Sequence, residues 1–235
     1  MGRILFRDVH INNNMDKRGL IKKVLLAFEQ SSTSIKYDKI YLYDDGPNDI
    51  KQITVSFGIT EWGNLKQLIN SYIKLNGNLT EKFKPYLSQI MVKSLVTDKA
   101  FIDLLKESGK DPVMQMCQER IFDEKYIDPA YNFCLTNKLE TPLSKLVIAD
   151  SYLHSGSILS FLRNKFSEKV PVNGGNEKAW TESYCKARRE WLSNHTREVL
   201  RKTIYRMNFM LDRITDNDWD LSKGSYNANG VTVNS

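Results

Sequence analysis

The chain has 235 residues, 41% of them hydrophobic and 26% charged, with a formal net charge of +6 and a pI near 9.0. That length suits one large domain or two lobes sharing a core, and the composition is that of a globular protein rather than a disordered or fibrous one. No apolar run is long enough to span a bilayer. Lys and Arg are scattered without a dense run, so no nucleic-acid partner is indicated.

Residues 1–15 read as an irregular entry ending in Asn12-Asn13-Asn14. From Asp16, a candidate N-cap, Leu20, Ile21, Val24, Leu25 and Phe28 recur at helical spacing. Ser31 to Ser34 stop that helix. Residues 35–43 are rich in aromatic and β-branched side chains and predict a strand, and the cluster at 44–49, with Gly46 and Pro47, predicts a turn. Residues 50–60 return as a second strand, giving a hairpin. Beyond Gly63 the pattern is helical: 65–72, 83–96, 101–107, 112–126, 129–137, 142–154, 177–192 and 196–213. A loop at 170–175 holds Pro171 and Gly174-Gly175. In the tail, Val231 and Val233 alternate as in a short strand or extended closing segment. The expected class is α+β, mainly α, with a small β-hairpin. A two-strand ribbon is marginal alone, so the hairpin must pack on the helices and wall a cleft.

Cys117, Cys134 and Cys185 are odd in number and widely spaced, and read as buried thiols. No CxxC or HExxH pattern suggests a metal, and no cofactor is indicated. The first residues, Met1 to Phe6, carry one basic residue and a short apolar stretch, which Arg7, Asp8 and His10 interrupt too early for a signal-peptide core.

Two carboxylates stand out. Glu29 ends the first helix and Asp45 lies in the turn Asp44-Asp45-Gly46-Pro47. If the chain folds back between them, they face each other across a groove, the arrangement that cuts glycosidic bonds. Taken singly, each has a plainer explanation: a surface residue at a helix end, and an Asp-Gly turn favoured by its backbone.

Several segments resemble glycoside hydrolase family 46, the chitosanases. Phe28-Glu29-Gln30-Ser31-Ser32-Thr33 is similar to the segment of the family's catalytic glutamate, and Leu42-Tyr43-Asp44-Asp45-Gly46 to that of its second acid. Phe57 to Asn64, Tyr126-Ile127-Asp128-Pro129-Ala130, Ala149-Asp150-Ser151, Gly174-Gly175-Asn176-Glu177 and Lys186-Ala187-Arg188 follow in family order. The resemblance spans roughly residues 25 to 235.

It implies a single catalytic domain with a two-lobed, lysozyme-like fold. The small β-containing lobe would lie at about 31–62 and helices would form the remainder. It implies an endo-acting, inverting hydrolase of β-1,4-linked glucosamine polymers. Glu29 would be the general acid and Asp45 the general base, backed by charged groups at Asp150, Arg188 and Arg206. Arg188 would contact Glu29, and Asp150 would bridge the two arginines. Asp150 lies in the apolar stretch Leu146-Val147-Ile148-Ala149 and needs a partner on its own account.

The chain also departs from the family. Asn64 stands where the family has an aspartate that holds a glucosamine ammonium. The stretch after Asp45 lacks the family's water-positioning threonine, and Thr54 is the nearest substitute. The family histidine falls on Ser155, with His154 beside it. Trp62 and Asn64, with Thr54, His154 and Ser155, are the expected groove residues. The aromatic residues Tyr37, Tyr41 and Tyr43 either line the groove or pack the hairpin. The expected partner is a polysaccharide: chitosan or, given the basic exterior and Asn64, chitin or peptidoglycan. A peptidoglycan muramidase and a non-catalytic wall-binding protein are the alternatives. A monomer acting outside the cell or at its wall is expected.

Overall fold

The computed structural model describes residues 17–43, 51–56, 58–60 and 63–235. The N-cap expected at Asp16 lies outside them. Helix α1, Arg18–Gln30, carries the expected apolar stripe and also buries Leu26 and Ala27. Ile21 and Leu25 are fully buried, each contributing about 1.5–3 kcal/mol of transfer free energy. Ser31 ends the helix in the left-handed region (φ 50°), its N–H bonded to the Ala27 carbonyl at 3.1 Å.

The sheet differs from the expected hairpin. Strand β1 covers only Ile40–Tyr43, β2 is Gln52–Val55 and β3 is Ile59–Thr60, in antiparallel order β1-β2-β3. Residues 35–39 are not strand because side chains capture their backbone. Gln30 Oε1 accepts from the Lys36 N–H at 2.9 Å, and Gln118 Nε2 donates to the Tyr37 carbonyl at 3.0 Å. The run 50–60 breaks into two strands because Ser56 (φ 55°) and Gly58 (φ 90°) turn the chain back.

Helices follow: α2 (Asn64–Lys74), α3 (Thr80–Phe83), α4 (Lys99–Ser108), α5 (Pro112–Phe122), α6 (Asp128–Asn137), α7 (Pro142–Ser155), α8 (Ser160–Arg163), α9 (Glu177–Ser193), α10 (Glu198–Arg201) and α11 (Tyr205–Thr215). Asp98, Asp111, Thr141 and Asn176 each cap a helix by accepting a backbone N–H. Two expected helices are broken. The 83–96 segment keeps only Phe83, the last residue of α3, and a 3-10 turn at Lys84–Tyr86, since Pro85 cannot continue the ladder and Met91 takes φ 71°. The 196–213 segment splits into α10, a 3-10 turn at Lys202–Ile204, and α11. The tail forms a second hairpin, β4 (Ser225–Ala228) and β5 (Val231–Asn234). Its two-residue turn, Asn229-Gly230, has both φ angles positive, as a type I′ turn demands.

The buried side chains form two clusters. The larger surrounds α1 and draws on α6, α7, α9, α11 and the β4–β5 hairpin. The smaller joins β2 and β3 to α2, α4 and α5, from Ile53 to Ile121. Helix α5 runs from one to the other. At the boundary it widens into a π-helical turn, Asp123–Ile127, before α6. All three cysteines are buried and unpaired, as the sequence indicated.

Within the smaller cluster, Tyr72 is buried and its hydroxyl donates to Asp111 Oδ2 at 2.6 Å. A Cβ on Gly77 would sit 2.0 Å from its ring. Gly77→Ala is therefore expected to lower stability by about 1–3 kcal/mol, with urea unfolding as the measurement; an unchanged midpoint would contradict this packing.

Candidate active site

Glu29 is the penultimate residue of α1, between buried Phe28 and Gln30. Its side chain is 27% exposed, so one edge faces solvent. The other edge receives Arg206 Nη2, 2.5 Å from Glu29 Oε1. Arg206 Nη1 reaches Asp150 Oδ1 at 2.8 Å, and Asp150 Oδ2 accepts from Arg188 Nη1 at 2.5 Å. A line of alternating charge thus runs from the surface to the interior, joining α1, α11, α7 and α9. The two carboxylates balance the two guanidiniums, which makes burial of Asp150 and Arg188 at 0% exposure tolerable. The contact to Glu29 comes from Arg206 and not from Arg188, which corrects the expectation. Arg188 lies one step further in and meets Asp150 instead.

Aromatic rings hold the arginine in place. Its guanidinium carbon lies 5.4 Å from the Phe28 ring centroid and 5.8 Å from that of Tyr205. The Tyr205 hydroxyl donates to the Phe28 carbonyl at 2.9 Å, fixing the end of α1 from a second direction. Burial opposes the charge on Arg206, but Asp150 and Glu29 outweigh it and hold the guanidinium above its ordinary value. Burial also opposes the Asp150 carboxylate. Arg188 and Arg206 overcome that and bring it down to about 2.

His154 and Ser155, expected in the groove, both sit on Arg188: Nη2 is 3.0 Å from His154 Nδ1 and 3.4 Å from Ser155 Oγ. A guanidinium only donates, so Nδ1 accepts and the imidazole proton resides on Nε2. Burial first, then the positive charge of Arg206, lowers the imidazole to about 3. Thr54 is buried in the middle of the sheet, opposite Tyr41 and Thr60. Asn64 is the first residue of α2, half-buried. Asp45 and Trp62 lie outside the described residues.

Sequence reasoning gave Tyr126 no role. Its hydroxyl donates to the Gly58 carbonyl at 3.1 Å, at the β2–β3 turn. Burial, then the charge of Glu29, raises its phenol above the ordinary value. A Cβ on Gly58 would come within 3.4 Å of that hydroxyl. The π turn brings Tyr126 to this position, where it ties the helical body to the sheet beside Glu29. Gln30 makes a parallel tie, its Nε2 3.4 Å from Ser56 Oγ. Of the aromatic residues weighed for the groove, Tyr37 is engaged by Glu119 and Tyr41 is 38% exposed.

The sequence model of glycosyl hydrolase family 46 matches residues 23–223. The chain belongs to that family. It is 24% identical to the chitosanase of Bacillus subtilis strain 168 over 229 residues, covering 89% of this chain and 80% of that protein. Among solved structures, it is similar to a family 46 chitosanase of Gynuella sunshinyii in complex with chitotetraose. That likeness has a TM-score of 0.78 and 20% identity, and covers 92% of this chain and 95% of the other. A mutant chitosanase from Bacillus subtilis MY002, solved with six GlcN units, also gives a TM-score of 0.78 and 20% identity, covering 94% and 99%. Family 46 membership makes this chain a glycoside hydrolase, and the shared fold is of the class expected: mainly helical with a small antiparallel sheet. Among the described residues no helix is long and apolar enough to cross a membrane.

A cavity of about 730 Å³ beside Tyr131, Leu135, Lys138 and Glu140 includes neither Glu29 nor any member of the ion chain.

The ion chain ties stability to acidity. The Asp150 carboxyl binds its proton less readily in the fold than its ordinary value of 3.8, so its pairs stabilise the protein above that pH and lose their effect as pH falls toward about 2. The unfolded His154 takes up a proton near 6.5 and the folded one near 3, so acid between those values favours unfolding. Stability is therefore expected to decline in two overlapping stages on acidification. His154→Gln, which retains an acceptor for Arg188, should flatten the earlier stage in urea titrations run across that range. An identical decline in the variant would exclude His154 as its source.

Proposed function

We propose that this chain is an endo-acting hydrolase of β-1,4-linked glucosamine polymer, with Glu29 as general acid and Asp45 as general base. The observation that carries the reading is the anchoring of Glu29, in a member of family 46, by Arg206 at the head of a buried ion chain. A general acid must meet the glycosidic oxygen in one orientation, and a side chain locked by a charged partner has little freedom to leave it. Arg206 holds one carboxylate edge, leaving the solvent-facing edge for the sugar.

The steps are then simple. The Glu29 carboxyl protonates the departing glycosidic oxygen while Asp45 takes a proton from water approaching the opposite face of the sugar, and attack inverts the anomeric centre. Such inversion needs the two carboxyl groups roughly 6.5–9.5 Å apart, with water between them. Regaining a proton on Glu29 and losing one from Asp45 to solvent closes the cycle. No redox step or cofactor enters this chemistry.

The substrate class is supported by the relatives, one solved with chitotetraose and one with six GlcN units. Asn64 at the start of α2 places a neutral amide where the family resemblance puts a carboxylate for the sugar ammonium.

Glu29→Gln should lower kcat on chitosan by about a hundredfold to ten-thousandfold while the protein still binds glucosamine oligomers. Turnover at the parental rate would sink the assignment, and products read by mass spectrometry from chitosan, chitin and peptidoglycan in parallel would identify the polymer. Asn64→Asp should raise kcat/KM on fully deacetylated chitosan by about tenfold, roughly 1.4 kcal/mol of charge-assisted bonding. No gain would mean that the sugar ammonium does not reach α2.

A further inference from the structure

A polar hollow of about 410 Å³ lies between α11 and the β4–β5 hairpin. Its volume is within the roughly 300–1,000 Å³ common for small-molecule sites. Neither Glu29 nor any other member of the ion chain lines it. Tyr205, Asn208 and Asp212 line one side, at spacings of three and seven that share a helix face. Ser225, Asn227 and Asn229 line the other.

The amides are already oriented. Asn208 Oδ1 accepts from Arg189 Nε at 2.7 Å, and Asn227 Oδ1 accepts from the Gly230 N–H at 2.7 Å. Each therefore keeps its NH₂ group as a donor for a ligand. The exposed Asp212 carboxylate has no hydrogen bond or ion pair among the described residues, so it is available as an acceptor. The positive charge nearby is otherwise engaged: the Arg213 guanidinium pairs with Asp216 at 2.9 Å and lies over the Phe209 and Tyr226 rings. Aimed amide donors, an unpaired carboxylate and a tyrosine make a set suited to the hydroxyl and amino groups of a sugar ring.

We propose that this hollow is an accessory site that holds a glucosamine unit of the polysaccharide substrate outside the catalytic cleft. The proposal rests on the glucosamine reading above. Tyr205 connects the two places: one part of it lines the hollow, and its hydroxyl bonds the Phe28 carbonyl next to Glu29. A chain held here stays beside the cleft between cuts, raising its local concentration.

Nuclear magnetic resonance on the full-length Glu29→Gln protein tests this, with glucosamine tetramer and N-acetylglucosamine tetramer titrated separately. The side-chain amide signals of Asn208, Asn227 and Asn229 are expected to shift with the glucosamine tetramer, on a binding curve distinct from that of cleft signals such as the amide introduced in place of the Glu29 carboxylate. Asp212→Ala and Asp212→Asn, both at an exposed position, should weaken those shifts. In the otherwise unaltered enzyme they should lower the ratio of activity on long chitosan to activity on tetramer by about threefold or more. Cleft signals that shift while the three amides stay still would overturn the accessory site and leave the glycosidase reading intact. An absence of shifts at both places would overturn both. Shifts produced only by the N-acetylated tetramer would overturn the glucosamine assignment, and an unchanged activity ratio would overturn the holding role.

Discussion

The Asp150 carboxylate, at 0% exposure between two guanidiniums, is the constraint on which the rest of the site depends. An ion of this kind is costly to bury alone, and removing either arginine would take away one of its two cationic partners. Helices α7, α9 and α11 must therefore keep their mutual register, because each supplies one charge. Arg206 turns its other terminal nitrogen to Glu29, so that register is passed to the last turn of α1. A hydrophobic replacement of similar volume could stabilise the interior as well, but it would not orient a carboxylate at the surface.

A second set of ties acts across the two hydrophobic clusters. Tyr126 bonds the β2–β3 turn, Gln30 reaches Ser56, and Gln118 holds the backbone at Tyr37. The larger cluster thus carries the end of α1 with Glu29, while the sheet beside it belongs to the smaller one. The π turn at Asp123–Ile127 sits at their boundary and sets the direction of Tyr126. A regular helix would rotate that side chain relative to Gly58, because an added residue in one turn changes which face follows.

Much of the fold can be read from patterns of single segments. The stripe of α1, the Pro-led starts of α5 and α7, and the buried character of the three cysteines all follow from local spacing and composition. The errors share a cause. Residues 35–39 look like strand, yet Gln30 and Gln118 claim their backbone groups; residues 83–96 look helical, yet Pro85 and the turn at Met91 interrupt them. The closing hairpin has a legible signal in Asn229-Gly230, the residue pair that favours a type I′ turn, beside the alternation of Val231 and Val233.

The same division holds at the site. The sequence by itself determined that Glu29 ends an amphipathic helix and that Asp150, set among apolar neighbours, requires a partner. Both follow from periodicity and from the cost of burying charge. Which arginine meets which carboxylate was decided only in three dimensions. Arg188 and Arg206 are both basic residues on helices, and nothing local distinguishes them. The packing of α11 against α1, with Arg206 against the Phe28 and Tyr205 rings, assigns one to Glu29 and leaves the other beside His154. Charge pairing depends on separations of a few ångströms between segments far apart in the chain, and only the tertiary structure sets those.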